Sequence, residues 1–413
     1  MRLTLAERKA ITRKLANRYE KAPKAEKSRI LDEICQLCDW NRDHARRALR
    51  RALGPAPKRN RPVRIPTYDA EVISALEIVW ATLDGPAGKR LAPVMASTVE
   101  ALERHGEISL SDRVRTGLLR MSAATIDRRL GPQRARLRLK GRSRTKPGGL
   151  LKSQIPIRTF ADWDDAAPGF CEADLVAHDG GDPRGEHAYT LDVTCVATGW
   201  TEVRILRNRA QRWVIEALAD IETALPFPLI GLDTDNGSEF INHLLMEFCV
   251  ARDITFTRSR PYRKNDGCFV EQKNNSVVRR AVGYARYDTE DEREVLGELY
   301  GYLSNYVNFF QPQMRLVAKT RTGARVSKRY DMAATPHIRL LSSGAMGAED
   351  ASLLTKHYEM LNPAELKRRI AGCQDQLTDL ARLPRLPPRG PSTDHGWRAY
   401  EIGGFAPRRE PTG

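Results

Sequence analysis

Three acidic residues carry the chemical potential of this sequence: Asp174, Asp235 and Glu271, with 35 residues between the last two. Asp174 lies in the apolar-flanked run Phe-Cys-Glu-Ala-Asp-Leu-Val-Ala-His at 170–178. Asp235 closes the run at 228–235, and Asn236 and Gly237 follow at once. Glu271 sits in Asn-Asp-Gly-Cys-Phe-Val-Glu-Gln-Lys-Asn at 265–274, where the pattern predicts the start of a helix. Carboxylates delivered by two strands and a helix can converge on divalent metal, and metal activates an oxygen nucleophile for attack on phosphate. Crowded carboxylates repel unless a cation lies among them, so a shared metal removes the cost of grouping them.

Other residues compete for these roles. Asp233 shares a strand face with Asp235, and Glu172 with Asp174, so each is an alternative ligand. Asp192 either lines the same cleft from a second strand or is an exposed strand residue, the expectation here. Glu239 suits the N-terminus of a helix. His178 and His187 flank a polar loop without ligand spacing and read as loop histidines. Cys35 and Cys38 form a lone CxxC with His44 as the only nearby third ligand. They fall on the apolar stripe Ile30, Leu31, Ile34, Leu37 and read as buried structural cysteines.

The elements that must position the acids follow from residue 158 onward. Strand patterns occupy 170–178, 187–197, 201–207, 229–235 and 254–258. Helical patterns occupy 210–224, 239–251, 267–283 and 289–308. The first three strands are close enough for an antiparallel meander. The later ones need helical crossovers and should be parallel, giving a mixed α/β layer architecture. Residues 315–330 predict a basic hairpin turning at Thr322 and Gly323, and 352–383 return to helix. From Pro384 the chain is rich in Pro, Gly and Arg and reads as a disordered tail.

Composition points to a polyanionic partner. The 413 residues carry a net charge of +16, and residues 1–61 alone hold 18 Lys and Arg against 7 Asp and Glu. Length implies two to four domains. Seven scattered cysteines argue against a disulfide framework. No apolar run reaches membrane-spanning length and no signal-peptide core is present, so a cytoplasmic protein is expected.

The basic residues are grouped. Residues 1–53 predict helices, with a break at 39–43 and a following helix bearing Arg42, Arg46, Arg47, Arg50 and Arg51. This is either a helix-turn-helix or a bundle with a solvated basic face. Residues 54–66 read as a basic linker. Residues 68–131 are helical again, with Ser122 as N-cap of a helix bearing Arg128 and Arg129, a second candidate DNA-binding module. In 134–146, Arg134, Arg136, Arg138, Lys140, Arg142, Arg144 and Lys146 alternate. They share a face only if extended, as a strip that tracks phosphates or a solvated linker.

The block Asp233-Thr-Asp-Asn-Gly-Ser-Glu-Phe240, the run at 260–274 and the upstream Asp174 together resemble the integrase-type DDE transposases of bacterial insertion sequences. More distantly they resemble the retroviral integrase core, over roughly residues 165–340. The resemblance implies an α/β fold: an RNase H-like mixed five-stranded sheet with flanking helices, preceded by helix-turn-helix-type DNA-binding domains. Asp174 would lie on the first strand, Asp235 at the end of the fourth and Glu271 on the helix after the fifth. These three would be catalytic and bind two Mg²⁺ or Mn²⁺ ions, which activate water or a DNA 3′-hydroxyl and stabilise the leaving 3′-oxygen. Asn236 and Asn274 would support the carboxylates. Arg263, Lys264, Lys273 and Asn275 would touch DNA.

The implied organisation is a helix-turn-helix domain at 1–57, a second helical DNA-binding domain at 58–133, a basic linker at 134–157 and a catalytic domain at 158–312. A C-terminal region with hairpin and helix follows at 313–383, then the tail at 384–413. The implied function is a transposase that binds terminal inverted repeats and performs strand cleavage and 3′-OH strand transfer. Its partners would be double-stranded DNA, as transposon ends and target, and further copies of itself as a dimer or tetramer. No membrane partner is expected, and a bacterial, nucleoid-associated location is implied. A domesticated DNA-binding regulator with a silent site, or a nuclease that cuts without joining, are the alternatives.

Overall fold

Two hydrophobic cores organise the described residues, which in this computed structural model are 3–54, 67–136, 167–235, 237, 239–240, 242–258, 268–322 and 325–382. They belong to two units, Met1–Thr67 and Tyr68–Gly413.

The first unit holds α1 (Leu5–Lys21), α2 (Lys24–Cys38) and α3 (Arg42–Ala52). Thr4 and Glu7 form a capping box that starts α1. Helix α2 ends at Asp39, whose left-handed backbone (φ 57°) a short polar side chain tolerates. Two residues on, the Asn41 side chain accepts the His44 N–H and starts α3. Two helices joined by this tight turn bury Ile30, Ile34 and Cys38 against Ala45 and Leu49. Cys35 packs at the edge of that core. On α3, Arg47, Arg50 and Arg51 are exposed, while Arg46 pairs with Asp43 and Arg42 with Asp32.

The second unit opens with α4 (Ala70–Thr82), α5 (Gly88–Arg104), α6 (Asp112–Leu119), α7 (Ala123–Arg129) and α8 (Gly131–Arg136). Gly88 is required where α5 meets α7, because a Cβ there would lie 2.1 Å from the Ala123 carbonyl oxygen. Its N–H donates to Asp127 at 2.7 Å.

The sheet follows: β1 (Phe170–Ala177), β2 (Tyr189–Cys195), β3 (Thr201–Leu206), then α9 (Gln211–Ala224), β4 (Gly231–Thr234), α10 (His243–Val250) and β5 (Thr255–Arg258). Its order is β3-β2-β1-β4-β5. The β1–β2 and β2–β3 pairs are antiparallel, and the β1–β4 and β4–β5 pairs parallel. This is the predicted meander followed by crossovers, an RNase H-like mixed sheet.

Next come α11 (Cys268–Lys273), continued by a π-helical stretch at Asn274–Arg279 and by α12 (Arg280–Val282), and then α13 (Glu290–Phe310). Thr289 and Glu292 cap α13. Near its other end the Asn308 side chain accepts the Thr201 N–H at 2.8 Å and donates to the Thr201 carbonyl at 2.9 Å. One amide thereby pairs both backbone groups of Thr201, at the start of the edge strand β3. The chain continues with β6 (Leu316–Thr322), β7 (Arg325–Tyr330), α14 (Pro336–Ser342), α15 (Ala348–Met360) and α16 (Pro363–Leu380).

Residues 58–133 were expected to stand as a domain of their own. In the structure, helices α4 to α7 share one hydrophobic core with the sheet and α16. The Tyr306 hydroxyl on α13 donates to the Thr82 carbonyl at 2.6 Å, and Gln311 to that of Leu83 at 2.9 Å. The expected extended strip also begins as helix: Arg134 lies on α8, pairs with Asp127, donates to the Pro86 carbonyl and covers the Trp80 ring. It clamps α8 onto the helices before it. Arg138, Lys140, Arg142 and the tail at 384–413 lie outside the described residues, as does the Arg136 side chain.

Candidate active site

Asp174 projects from the middle of β1. Its Oδ1 accepts the N–H of Leu175 at 2.8 Å and its Oδ2 accepts from Asn274 Nδ2 at 2.6 Å. Burial raises its pKa to about 7, with the charges of Asp235 and Glu271 adding to the rise. Asp235 follows β4 directly and is exposed at the rim of the cleft. Loss of hydration, and then the charges of Glu239 and Glu271, raise its pKa. Its Oδ1 accepts the N–H of Gly237 at 2.8 Å. A Cβ on Gly237 would come within 2.7 Å of the Glu239 carboxyl and 2.9 Å of Asp235 Oδ1, so both carboxylates crowd this glycine and would have to shift to admit a side chain. Glu271 is exposed on α11. Strand, strand end and helix thus bring the three acids into one electrostatic cluster.

The competing acids have other partners. Glu172, on the same strand face as Asp174, is 1 % exposed. Its Oε2 accepts the N–H groups of Phe269 at 2.9 Å and Val270 at 3.0 Å, so it caps the helix that carries Glu271. Asp233 is buried and accepts the Thr257 hydroxyl at 2.6 Å across the β4–β5 register. Glu239 precedes α10, which Asn242 caps instead, so its role is the charge it places beside Asp235.

Two expectations are overturned by burial. Lys273 is no DNA contact: it is 7 % exposed, and its Nζ donates to the Gly199 carbonyl at 3.2 Å. Asp192 is not an exposed strand residue: it is fully buried opposite Asp174 and accepts the Thr194 hydroxyl at 3.0 Å. Burial pushes the Asp192 carboxyl up and the Lys273 ammonium down, and the charge of each opposes the shift of the other. His178, read as a loop histidine, does lie just past the end of β1, but it is buried, 2.6 Å from the Thr190 hydroxyl, which lies 2.5 Å from that of Tyr300. His187 is buried and stacks on Tyr189. The sequence did hold a signal for Asp192. Thr190, Leu191, Val193 and Thr194 fit burial on both strand faces, which leaves no exposed face for an acid between them.

Asn275 is exposed one residue past Asn274, and Arg128 and Arg129 are exposed at the end of α7. Asn236, Arg263 and Lys264 lie outside the described residues. The donor set of the cluster is all carboxylate oxygen, which suits a hard dication such as Mg²⁺ or Mn²⁺. Burial first, and then neighbouring carboxylate charge, raises both Asp174 and Asp235, and a cation held among them would relieve that cost. Among the described residues no three His, Cys, Asp or Glu side chains stand close enough to share one ion. The fit is therefore one of chemistry and charge. Among the described residues no helix is long and apolar enough to cross a membrane.

The catalytic core domain of BIV integrase aligns with 17% identity over 43% of this chain and 96% of its own, with a TM-score of 0.29. The integrase core domain family model matches residues 164–264, which include Asp174, Asp235 and all five strands of the sheet. An uncharacterized protein of Sinorhizobium fredii, y4rM, is 41% identical over 339 residues, covering 82% of this chain and 96% of the relative. The chain therefore belongs to one family with y4rM, and its five-stranded sheet is an integrase core domain of the integrase-type transposase class, whose members process DNA as nucleotidyl transferases.

Proposed function

We propose that this protein is an active transposase that binds the terminal inverted repeats of a mobile element, cleaves its ends and joins the freed 3′-hydroxyl to target DNA. The observation that carries the reading is the electrostatic coupling of Asp174, Asp235 and Glu271, brought together from β1, the end of β4 and α11.

In this reading the three carboxylates are the catalytic residues and hold two Mg²⁺ or Mn²⁺ ions. When bound, such ions supply nucleophile activation and charge stabilisation at the leaving oxygen. Asn274 holds the Asp174 carboxylate in place, and Glu172 fixes the helix from which Glu271 projects. Arg46, Arg47 and Arg50 of α3, together with Arg128 and Arg129 of α7, bring duplex DNA to the chain, and Asn275 contacts it near the site. Two ends must be held at once, so the working form is a dimer or tetramer on DNA.

The test is incubation of the full chain with pre-cleaved end DNA, a target plasmid and Mg²⁺. Joined products that disappear in Asp235→Ala support the reading. Binding without nicking or joining would make the protein a regulator with a silent site. Nicking without joining would make it a nuclease.

A further inference from the structure

The hairpin β6–β7 is an arm with a fixed base and a free shaft. At the base, Asp331 accepts the backbone N–H of Arg315 at 2.7 Å and the guanidinium of Arg339 at 2.7 Å. Arg339 also donates to the Gln313 carbonyl at 2.9 Å, and Gln313 bridges to Ala334. The Arg315 guanidinium reaches the Ala197 carbonyl in the turn between β2 and β3. The same turn presents the Gly199 carbonyl to Lys273 of α11. A Cβ on Gly199 would lie 2.4 Å from Gln313 Oε1, so the turn and the base of the arm are in close contact. The arm is thereby anchored beside the helix that carries Glu271.

Beyond the base, among the described residues, the strands pair only with each other, in a sheet of two. Val326, Lys328, Arg329 and Tyr330 are exposed. With strands of 7 and 6 residues, the ribbon extends about 20 Å. An isolated two-stranded ribbon is marginal in water. This one is further burdened: residues 315–330 hold six Lys and Arg and no acid, and the register sets Lys319 directly opposite Lys328. Like charges facing across a strand pair destabilise it. A ribbon that accumulates cations at the expense of its own stability is matched to a polyanion, and a two-stranded ribbon fits the major groove of duplex DNA, about 12 Å wide.

We infer that β6–β7 is a DNA-gripping arm that lies along duplex DNA beside the active site and neutralises its phosphates, whatever the base sequence. The inference rests on the reading that DNA is the substrate, but it assigns a contact surface separate from α3 and α7.

The experiment compares the full-length protein with a variant in which Lys319, Arg321, Arg325, Lys328 and Arg329 are all changed to Gln. Affinity for a fluorescent 40-bp duplex of random sequence is titrated across a KCl series. Each lost phosphate contact removes about 0.9 from the slope of log affinity against log salt, so the five substitutions should lower it by up to about 4.5. Affinity at a fixed intermediate salt should fall at least tenfold. A swap variant, Lys328→Arg with Arg329→Lys, should keep the wild-type slope, and both variants should melt within a few degrees of wild type. If the neutralised variant does not fold, Lys328→Gln with Arg329→Gln carries the test, with an expected loss of about 1 to 2. An unchanged slope overturns the inference, and so does lost self-association with the slope intact, which would make the arm a protein-docking surface. If the wild type fails to join DNA yet shows the arm-dependent slope, the transposase reading falls and the arm stands.

Discussion

Glu172 on β1 accepts the backbone N–H of Val270 on α11 at 3.0 Å, and with the same oxygen that of Phe269 at 2.9 Å. Asp174 lies two residues along the strand from the acceptor, and Glu271 one residue along the helix from the donor. One buried carboxylate therefore sets the distance between two members of the acidic cluster, by satisfying helix N–H groups that have no partner within the helix.

Replacing Glu172 by Ala should orphan both N–H groups and lower stability by about 2 kcal/mol. That corresponds to a fall of several degrees in melting temperature. Glu172→Gln retains an acceptor oxygen and should recover much of that loss. Calorimetry on the two variants decides, and equal melting of Glu172→Ala and wild type would remove the carboxylate from its capping role.

The Asn274 side chain donates to Asp174 Oδ2 at 2.6 Å. Removing groups that orient metal ligands typically lowers metal affinity by about 10- to 100-fold. Asn274→Ala should therefore raise the Mg²⁺ concentration needed for half-maximal joining by at least tenfold, while DNA affinity stays within twofold. A Mg²⁺ titration of strand joining that superimposes on wild type would contradict this.

Lys273 and Asp192 balance each other in the interior. Removing the ammonium leaves the Gly199 carbonyl without its donor and the buried Asp192 carboxyl without a favourable opposite charge, at a cost of about 1 to 3 kcal/mol. Lys273→Met should destabilise by that order, and adding Asp192→Leu should restore part of it. The salt dependence of DNA binding should not change in either variant. A flattened salt slope in Lys273→Met would return Lys273 to the DNA interface.

Burial holds His178 near pKa 3 and His337 near 4, both below the ordinary 6.5. A depressed histidine pKa means that the unfolded chain binds the extra proton first. Unfolding free energy should therefore fall as pH drops from 6.5 toward 4 and be fully present only above 6.5. For His178 alone the loss by pH 5 is about 2 kcal/mol. Denaturant melts of wild type and His178→Gln across this range provide the check: the substitution should flatten the slope between pH 6.5 and 5. Parallel slopes would mean that His178 is protonated in the fold.

The strands and the sense of their pairing were legible because each strand had a short apolar run, and the connection lengths allowed hairpins early and required helical crossovers later. Asp174, Asp235 and Glu271 stand out in the sequence through their spacing and the family resemblance of their flanking motifs, and one contact there is local: Asp235 accepts the N–H of Gly237 two residues on. What sequence could not settle was the partner of each remaining polar residue. Glu172 and Asp174 share a face, and only the docking of α11, 97 residues later in the chain for the Phe269 contact, makes one a helix cap. Lys273 reads as a basic residue near DNA until the Gly199 carbonyl and Asp192 enclose it. Helices α4 to α7 read as a separate module because amphipathic helices announce that they must bury a face, but not against what. Local pattern determined the elements and the chemistry at their ends. Burial and pairing between distant segments, which depend on where the chain returns, were decided only by the tertiary structure.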